Sequence, residues 1–137
     1  LKANGNLAVD SNAVIAYWSG NARACAIIDG ATTLFLPAIV LGELMYGACN
    51  SVRQTENERT VRFFADHCSV LPVDGAVAEQ YARIRVSLKK KGKPTPENDI
   101  WISAICAHYG VPLMTNDVHF AHVDLLKIVD WEDAHQT

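Results

Sequence analysis

The sequence predicts a three-layer α/β/α sandwich built on a mainly parallel sheet of about five strands. Three observations lead there. Short apolar runs alternate with segments whose apolar residues recur at helical spacing, the pattern of strand–helix crossovers. No internal repeat and no linker-like stretch interrupts the 137 residues, a length suited to one domain. Half of the residues are apolar and 20% are charged, enough to pack a core and too few charges for a disordered chain.

Taken in order, Leu7-Ala8-Val9-Asp10 is a short strand ending in an acid, and Ser11 to Tyr17 begins a helix behind a polar cap. A second helix runs from Asn21 to Asp29 and stops at Gly30. Leu34-Phe35-Leu36 forms the second strand, and Pro37 suits the first turn of a helix reaching about Asn50. Arg53 to His67 is amphipathic, with Val61, Phe64 and Ala65 on one side, and Ser69 to Val73 is strand-like. From Asp74 to Lys91 the positions Val77, Tyr81, Ile84 and Leu88 share one helical face, closed by Gly92. Lys93-Pro94-Thr95-Pro96 is a rigid connector before a helix from Asp99 to Tyr109, which Gly110 ends. Val111 to Thr115 and Lys127 to Val129 supply the last two strands. Residues 1–6 are expected to be disordered or a terminal remnant without fold information, leaving 7–137 as the single domain.

Composition narrows the function classes. Twelve basic residues against fifteen acidic ones, a net charge of −3, exclude a global positive field of the kind that advertises nucleic-acid binding. Half of the positive charge nevertheless falls between residues 83 and 93, in Arg83, Arg85, Lys89, Lys90, Lys91 and Lys93. This run either meets phosphates or is a solvated helix end favoured by the dipole. Cys25, Cys49, Cys68 and Cys106 are scattered, without metal-finger spacing, and are expected as buried, reduced thiols. No apolar stretch is long enough to span a bilayer and no signal peptide is visible, so a cytoplasmic protein is expected.

Four acids occupy related places in this layout. Asp10 ends the first strand and Asp117 follows the fourth, at the carboxyl ends where open α/β sheets hold ligands. Glu43 and Asp99 lie early in helices that reach the same rim. Convergent carboxylates suit a hard cation such as Mg²⁺ or Mn²⁺. Each acid also has a plainer role: Asp10 as a helix cap, Asp99 as a dipole-favoured first-turn residue, Asp117 as a turn residue. Glu43 lies on an apolar helical face with Ile39, Val40 and Gly47, where a carboxylate needs a partner, and a structural salt bridge is the alternative. His119 and His122 form an H-x-x-H without a further nitrogen or carboxylate ligand at zinc spacing.

The segments Asp10-Ser11-Asn12, Leu41-Gly42-Glu43-Leu44-Met45-Tyr46-Gly47, Asn98-Asp99-Ile100-Trp101-Ile102-Ser103-Ala104 and Thr115-Asn116-Asp117-Val118-His119-Phe120 together resemble the PIN-domain ribonucleases, above all the VapC-type toxins of toxin–antitoxin pairs. The resemblance spans roughly residues 7 to 131. It implies that Asp10, Glu43, Asp99 and Asp117 form the catalytic, metal-holding set for one or two Mg²⁺ or Mn²⁺ ions, supported by Asn12, Thr115 and Asn116. It further implies water attack on RNA leaving a 3′-hydroxyl and a 5′-phosphate, a small VapB-like antitoxin whose tail fills the acidic groove, and a homodimer. Ser11 stands where Thr is frequent and Ala38 where a small hydroxyl residue is frequent, so a supporting hydrogen bond is expected to be lost. The alternatives are a PIN-type RNA-processing nuclease that is not a toxin, and a receiver-like signalling domain using Asp74 and Lys127.

Overall fold

A computed structural model of the chain describes residues 5–132. Its elements follow the predicted order: β1 (Asn6–Val9), α1 (Ser11–Trp18), α2 (Ala22–Asp29), β2 (Thr33–Pro37), α3 (Ala38–Cys49), α4 (Gln54–Asp66), β3 (Ser69–Leu71), α5 (Gly75–Lys91), α6 (Glu97–Tyr109), β4 (Leu113–Met114), a 3₁₀ turn (Val118–His122) and β5 (Ile128–Val129). All pairings are parallel, in the order β3-β2-β1-β4-β5. Residues 1–4 and 133–137 of the two expected segments lie outside the described residues, whereas Asn6, set aside as remnant, opens β1 and pairs with Thr33.

The sheet is the sandwich's middle layer because both faces of its central strand are covered: Leu7, Ala8 and Val9 alternate in direction, yet all are fully buried. Leu36, Leu113, Met114 and Val129 continue that core, and Phe120 of the 3₁₀ turn and Trp131 close one end. A Leu or Met buried in this way contributes about 1.5–3 kcal/mol.

The departures from the predicted boundaries have local causes. β4 is shorter than Val111 to Thr115 because the Val111 N–H is committed to the Cys106 carbonyl at the end of α6, and Pro112 has no N–H to give. Gly110 and Gly92 make such helix endings possible, each adopting the left-handed conformation, with φ of 65° and 66°. Pro37 ends β2 and precedes α3 instead of lying inside its first turn. Helix α6 begins at Glu97, so Asp99 is its third residue rather than its first.

The strand order places a topological switch at β1, whose chain neighbour β2 lies on one side and β4 on the other. A crevice opens at such a point, beyond the carboxyl ends of the strands. Asp10 follows β1 directly, and Asp117 stands three residues beyond β4.

Candidate active site

Asp10 caps α1 with an extended backbone, and its Oδ1 accepts from the Ser11 N–H at 2.8 Å. The capping role predicted for it is therefore present, but it uses one oxygen only. The second oxygen, Oδ2, accepts from the Thr115 hydroxyl at 2.8 Å. Thr115 is fully buried, and its Oγ1 also accepts from the Asp117 N–H at 3.1 Å, tying the ends of β1 and β4 together. Burial, more than the hydrogen bonds can offset, holds the Asp10 carboxyl above its ordinary range, and the charges of Glu43 and Asp117 push the same way.

Glu43 arrives from α3, half-buried. Its Oε1 accepts from Ser11 Oγ at 2.7 Å and its Oε2 from Asn98 Nδ2 at 3.2 Å. These partners are a hydroxyl and an amide; among the described residues Glu43 has no salt bridge, which removes the structural ion pair as its explanation. The same contact corrects the expectation for Ser11, because serine supplies the hydroxyl that threonine would. Ala38 does lack one: α3 starts behind Pro37 without a side-chain cap.

Asp99 stands in the first turn of α6, with its pKa pushed up to about 6. Burial is the main cause, followed by the charges of Asp117, Asp10 and Glu43, while His119 pulls the other way. The three other predicted acids thus act on this one carboxyl group. Asp117 Oδ1 accepts from the His119 N–H at 2.9 Å and lies 2.8 Å from His119 Nδ1, which is 3.9 Å from Asp99 Oδ2. Asp99, Asp117 and His119 each present a donor atom within 4.8 Å of one another, an arrangement able to hold a cation. Asp10 and Glu43 flank this trio without joining it.

Of the supporting residues, Thr115 touches the acids directly. Asn12 and Asn116 hydrogen-bond to each other at 3.2 Å, and Asn116 reaches Glu132 at 3.0 Å. Sequence reasoning missed the work of Ser11, Asn98 and His119. Each is a polar residue within two positions of a predicted acid, which was the available signal. His122 is not part of the group formed by Asp99, Asp117 and His119.

A cleft of about 530 Å³ leaves this crevice from Asp10 and Glu43 and runs between α1, α3 and α4 past Ile15, Trp18 and Val61. The basic run divides. Arg85 pairs with Glu97 at 3.2 Å, Lys91 pairs with Asp124 at 2.6 Å, and Arg83 faces a different hollow beside Asp124. Lys89, Lys90 and Lys93 are exposed, without a salt bridge among the described residues. The thiols also divide: Cys106 is buried, Cys25 and Cys68 are half-buried, and Cys49 is exposed, against the expectation that all are buried.

The receiver alternative fails on topology. Asp74 caps α5 just after β3, and Lys127 precedes β5. These strands are opposite edges of the sheet, about 19 Å apart at ordinary strand spacing, too far for one phosphorylation site. Among the described residues no helix is long and apolar enough to cross a membrane.

The sequence matches the PIN domain over residues 7–126. It is 33% identical over 121 residues to Ribonuclease VapC5 of Mycobacterium tuberculosis, covering 85% of this chain and 86% of that protein. It is 31% identical over 97 residues to the tRNA(fMet)-specific endonuclease VapC of Salmonella typhimurium, covering 70% and 74%. Among solved structures, DNA-bound VapBC from Salmonella typhimurium superposes with a TM-score of 0.85 at 25% identity, over 92% of this chain and 98% of that one. VapBC2 from Rickettsia felis, bound to a promoter DNA fragment, also gives 0.85, at 20% identity over 93% and 99%.

Proposed function

Because this chain belongs to the PIN-domain family, we propose that it is a metal-dependent endoribonuclease, the toxin of a toxin–antitoxin pair, with residues 7–137 as one nuclease domain. The observation that carries the reading is the gathering of Asp10, Glu43, Asp99 and Asp117 at the switch-point crevice, where Ser11, Thr115 and Asn98 donate to Asp10 and Glu43 and no lysine or arginine pairs with any of the four among the described residues.

The donor set fits a hard divalent cation, Mg²⁺ or Mn²⁺: it is oxygen-rich, has one imidazole and contains no thiolate. Asp99 and Asp117 would hold one or two such ions, with Asp10 and Glu43 beside them. When bound, the metal polarises water and offsets negative charge on a phosphodiester. The chain's own residues set the stage. Thr115 fixes the Asp10 carboxylate, Ser11 and Asn98 aim Glu43, and His119 orients Asp117. Such preorganised oxygens suit in-line attack by water, leaving a 3′-hydroxyl and a 5′-phosphate.

The apolar cleft beside the crevice suits the tail of a small VapB-like antitoxin, with its apolar side chains against Ile15, Trp18 and Val61 and a basic side chain among the acids. Relatives of similar fold are known in VapBC toxin–antitoxin complexes. A homodimer and action in the cytoplasm complete the proposal.

Incubating the purified chain with total cellular RNA, in EDTA and after Mg²⁺ or Mn²⁺ is restored, tests it. Cleavage only with metal, with ends carrying 5′-phosphate, is expected. Equal cleavage with all divalent metal chelated, or none under any metal, overturns it.

A further inference from the structure

We infer that Lys89 and Lys93 form an RNA-backbone site separate from the acid crevice, holding a phosphate two or three nucleotides from the one being cut. The inference rests on the nuclease reading and narrows the basic run to two of its six members. A groove of about 530 Å³ lies between the last turn of α5 and the first turn of α6, edged by Lys89, Lys93, Thr95 and the Arg85–Glu97 pair. Its floor includes Leu88 and Ile100, both buried in a small cluster of their own.

The charges in this groove do not cancel. Glu97 is taken up by Arg85 and by the hydroxyl of Tyr81, whose ring stacks on Trp101 at 3.9 Å. Arg85 and Glu97 neutralise one another, so Lys89 and Lys93 leave a net positive groove that calls for an anion. Lys91 does not contribute, being held by Asp124 and by the His122 carbonyl, and Arg83 opens elsewhere.

Placement selects a nucleic-acid strand as that anion. Glu97 and Asp99 are two residues apart in one helical turn and so project to opposite sides of α6, one toward the groove and the other toward the crevice. The separation is about one helix diameter, roughly 10–12 Å. Successive phosphates of a strand advance about 3.4 Å along the axis of a regular helix and farther when the strand is extended, so a strand crossing the start of α6 can occupy both places. Exposed lysines at the far place offset the repulsion that the acid crevice imposes on the same strand.

The test uses the full chain carrying Asp99→Asn, so that RNA stays whole, and a fluorescein-labelled single-stranded RNA 12-mer, with anisotropy read from 50 to 300 mM KCl. Each phosphate contact on a single strand contributes about 0.7 to the slope of log affinity against log salt. Adding Lys89→Ala and Lys93→Ala is expected to reduce that slope by about 0.7, the loss of one phosphate contact, and weaken 12-mer binding at least about fivefold. A labelled trimer, whose two phosphodiesters are one nucleotide apart and cannot reach both places, should lose less than about twofold. Lys89→Arg with Lys93→Arg should restore the slope, and circular dichroism checks that every variant is folded. An unchanged slope overturns the inference, as it would if the groove served a protein partner, and so does an equal loss for the trimer. Either result leaves metal-dependent cleavage by the unaltered chain standing, whereas failure of that cleavage sinks the nuclease reading separately.

Discussion

Two carboxylates in the same turn of α6 have opposite surroundings. Glu97 is exposed and meets an arginine and a tyrosine hydroxyl; Asp99, two residues on, is half-buried and faces three further acids with only a histidine to relieve them. Glu97 is an ordinary surface ion pair, of the kind that contributes little to stability. Asp99 belongs to a cluster that is unfavourable as it stands and that a protein keeps when something positive is meant to enter. Charge alone does not separate the two; the company of each charge does.

The sharpest way to break this comparison is to remove one charge at a time. Asp99→Asn is expected to lower metal-dependent RNA cleavage at least about 100-fold while raising the melting temperature in EDTA at pH 7, because it relieves burial and repulsion together. Glu97→Gln should lower cleavage by no more than about threefold and bring no such gain in stability. Equal losses of activity, measured as initial rates on one RNA, would erase the distinction.

A smaller effect is expected one step back from the acids. Thr115→Val keeps the shape of a fully buried side chain but leaves Asp10 Oδ2 without its donor and the Asp117 N–H without its acceptor. Urea denaturation should show a loss of about 1–3 kcal/mol, the usual cost of unpaired buried polar groups, and cleavage should fall about tenfold. Normal stability with normal activity would mean that the two strand ends hold their acids without this hydroxyl.

The smallest effect concerns pH. The folded Asp99 carboxyl titrates near 6 against an ordinary 3.8, so between these values the folded chain keeps a proton that the unfolded chain has released. Its contribution to stability is therefore complete below about pH 4 and disappears as pH rises through 6. Burial of Asp10 acts in the same direction. Thermal melts in EDTA should show this decline, and saturating Mg²⁺ should reverse it, since metal binding competes with the proton. A stability in EDTA that rises from pH 4 to 7 would count against a crowded acid cluster.

Much of the fold was legible because its cues are local. Gly92 and Gly110 end helices through their own backbone freedom, Asp10 and Asp74 cap the helices that follow them, and Val77, Tyr81, Ile84 and Leu88 mark one helical face without reference to the rest of the chain. Strand ends were less legible, because Val111 closes the helix before it rather than extending β4, a competition that apolar character does not reveal. The four acids could be nominated from their positions at strand and helix ends. The lysines could be counted but not sorted, since Lys91 is claimed by Asp124, thirty-three residues away.

By itself the sequence determined the alternation of strands and helices, the acids at their ends and the likeness to a nuclease family, all of which reside in the order of residues along the chain. Tertiary structure decided that Glu43 rests on Ser11 and Asn98, that His119 joins Asp99 and Asp117, and that Lys89 and Lys93 line the groove between α5 and α6 without an ion pair among the described residues. The reason is physical: hydrogen bonds and Coulomb forces depend on distances through space, and strand order sets residues 10 and 117 side by side at a crevice that Glu43 and Asp99 reach from α3 and α6.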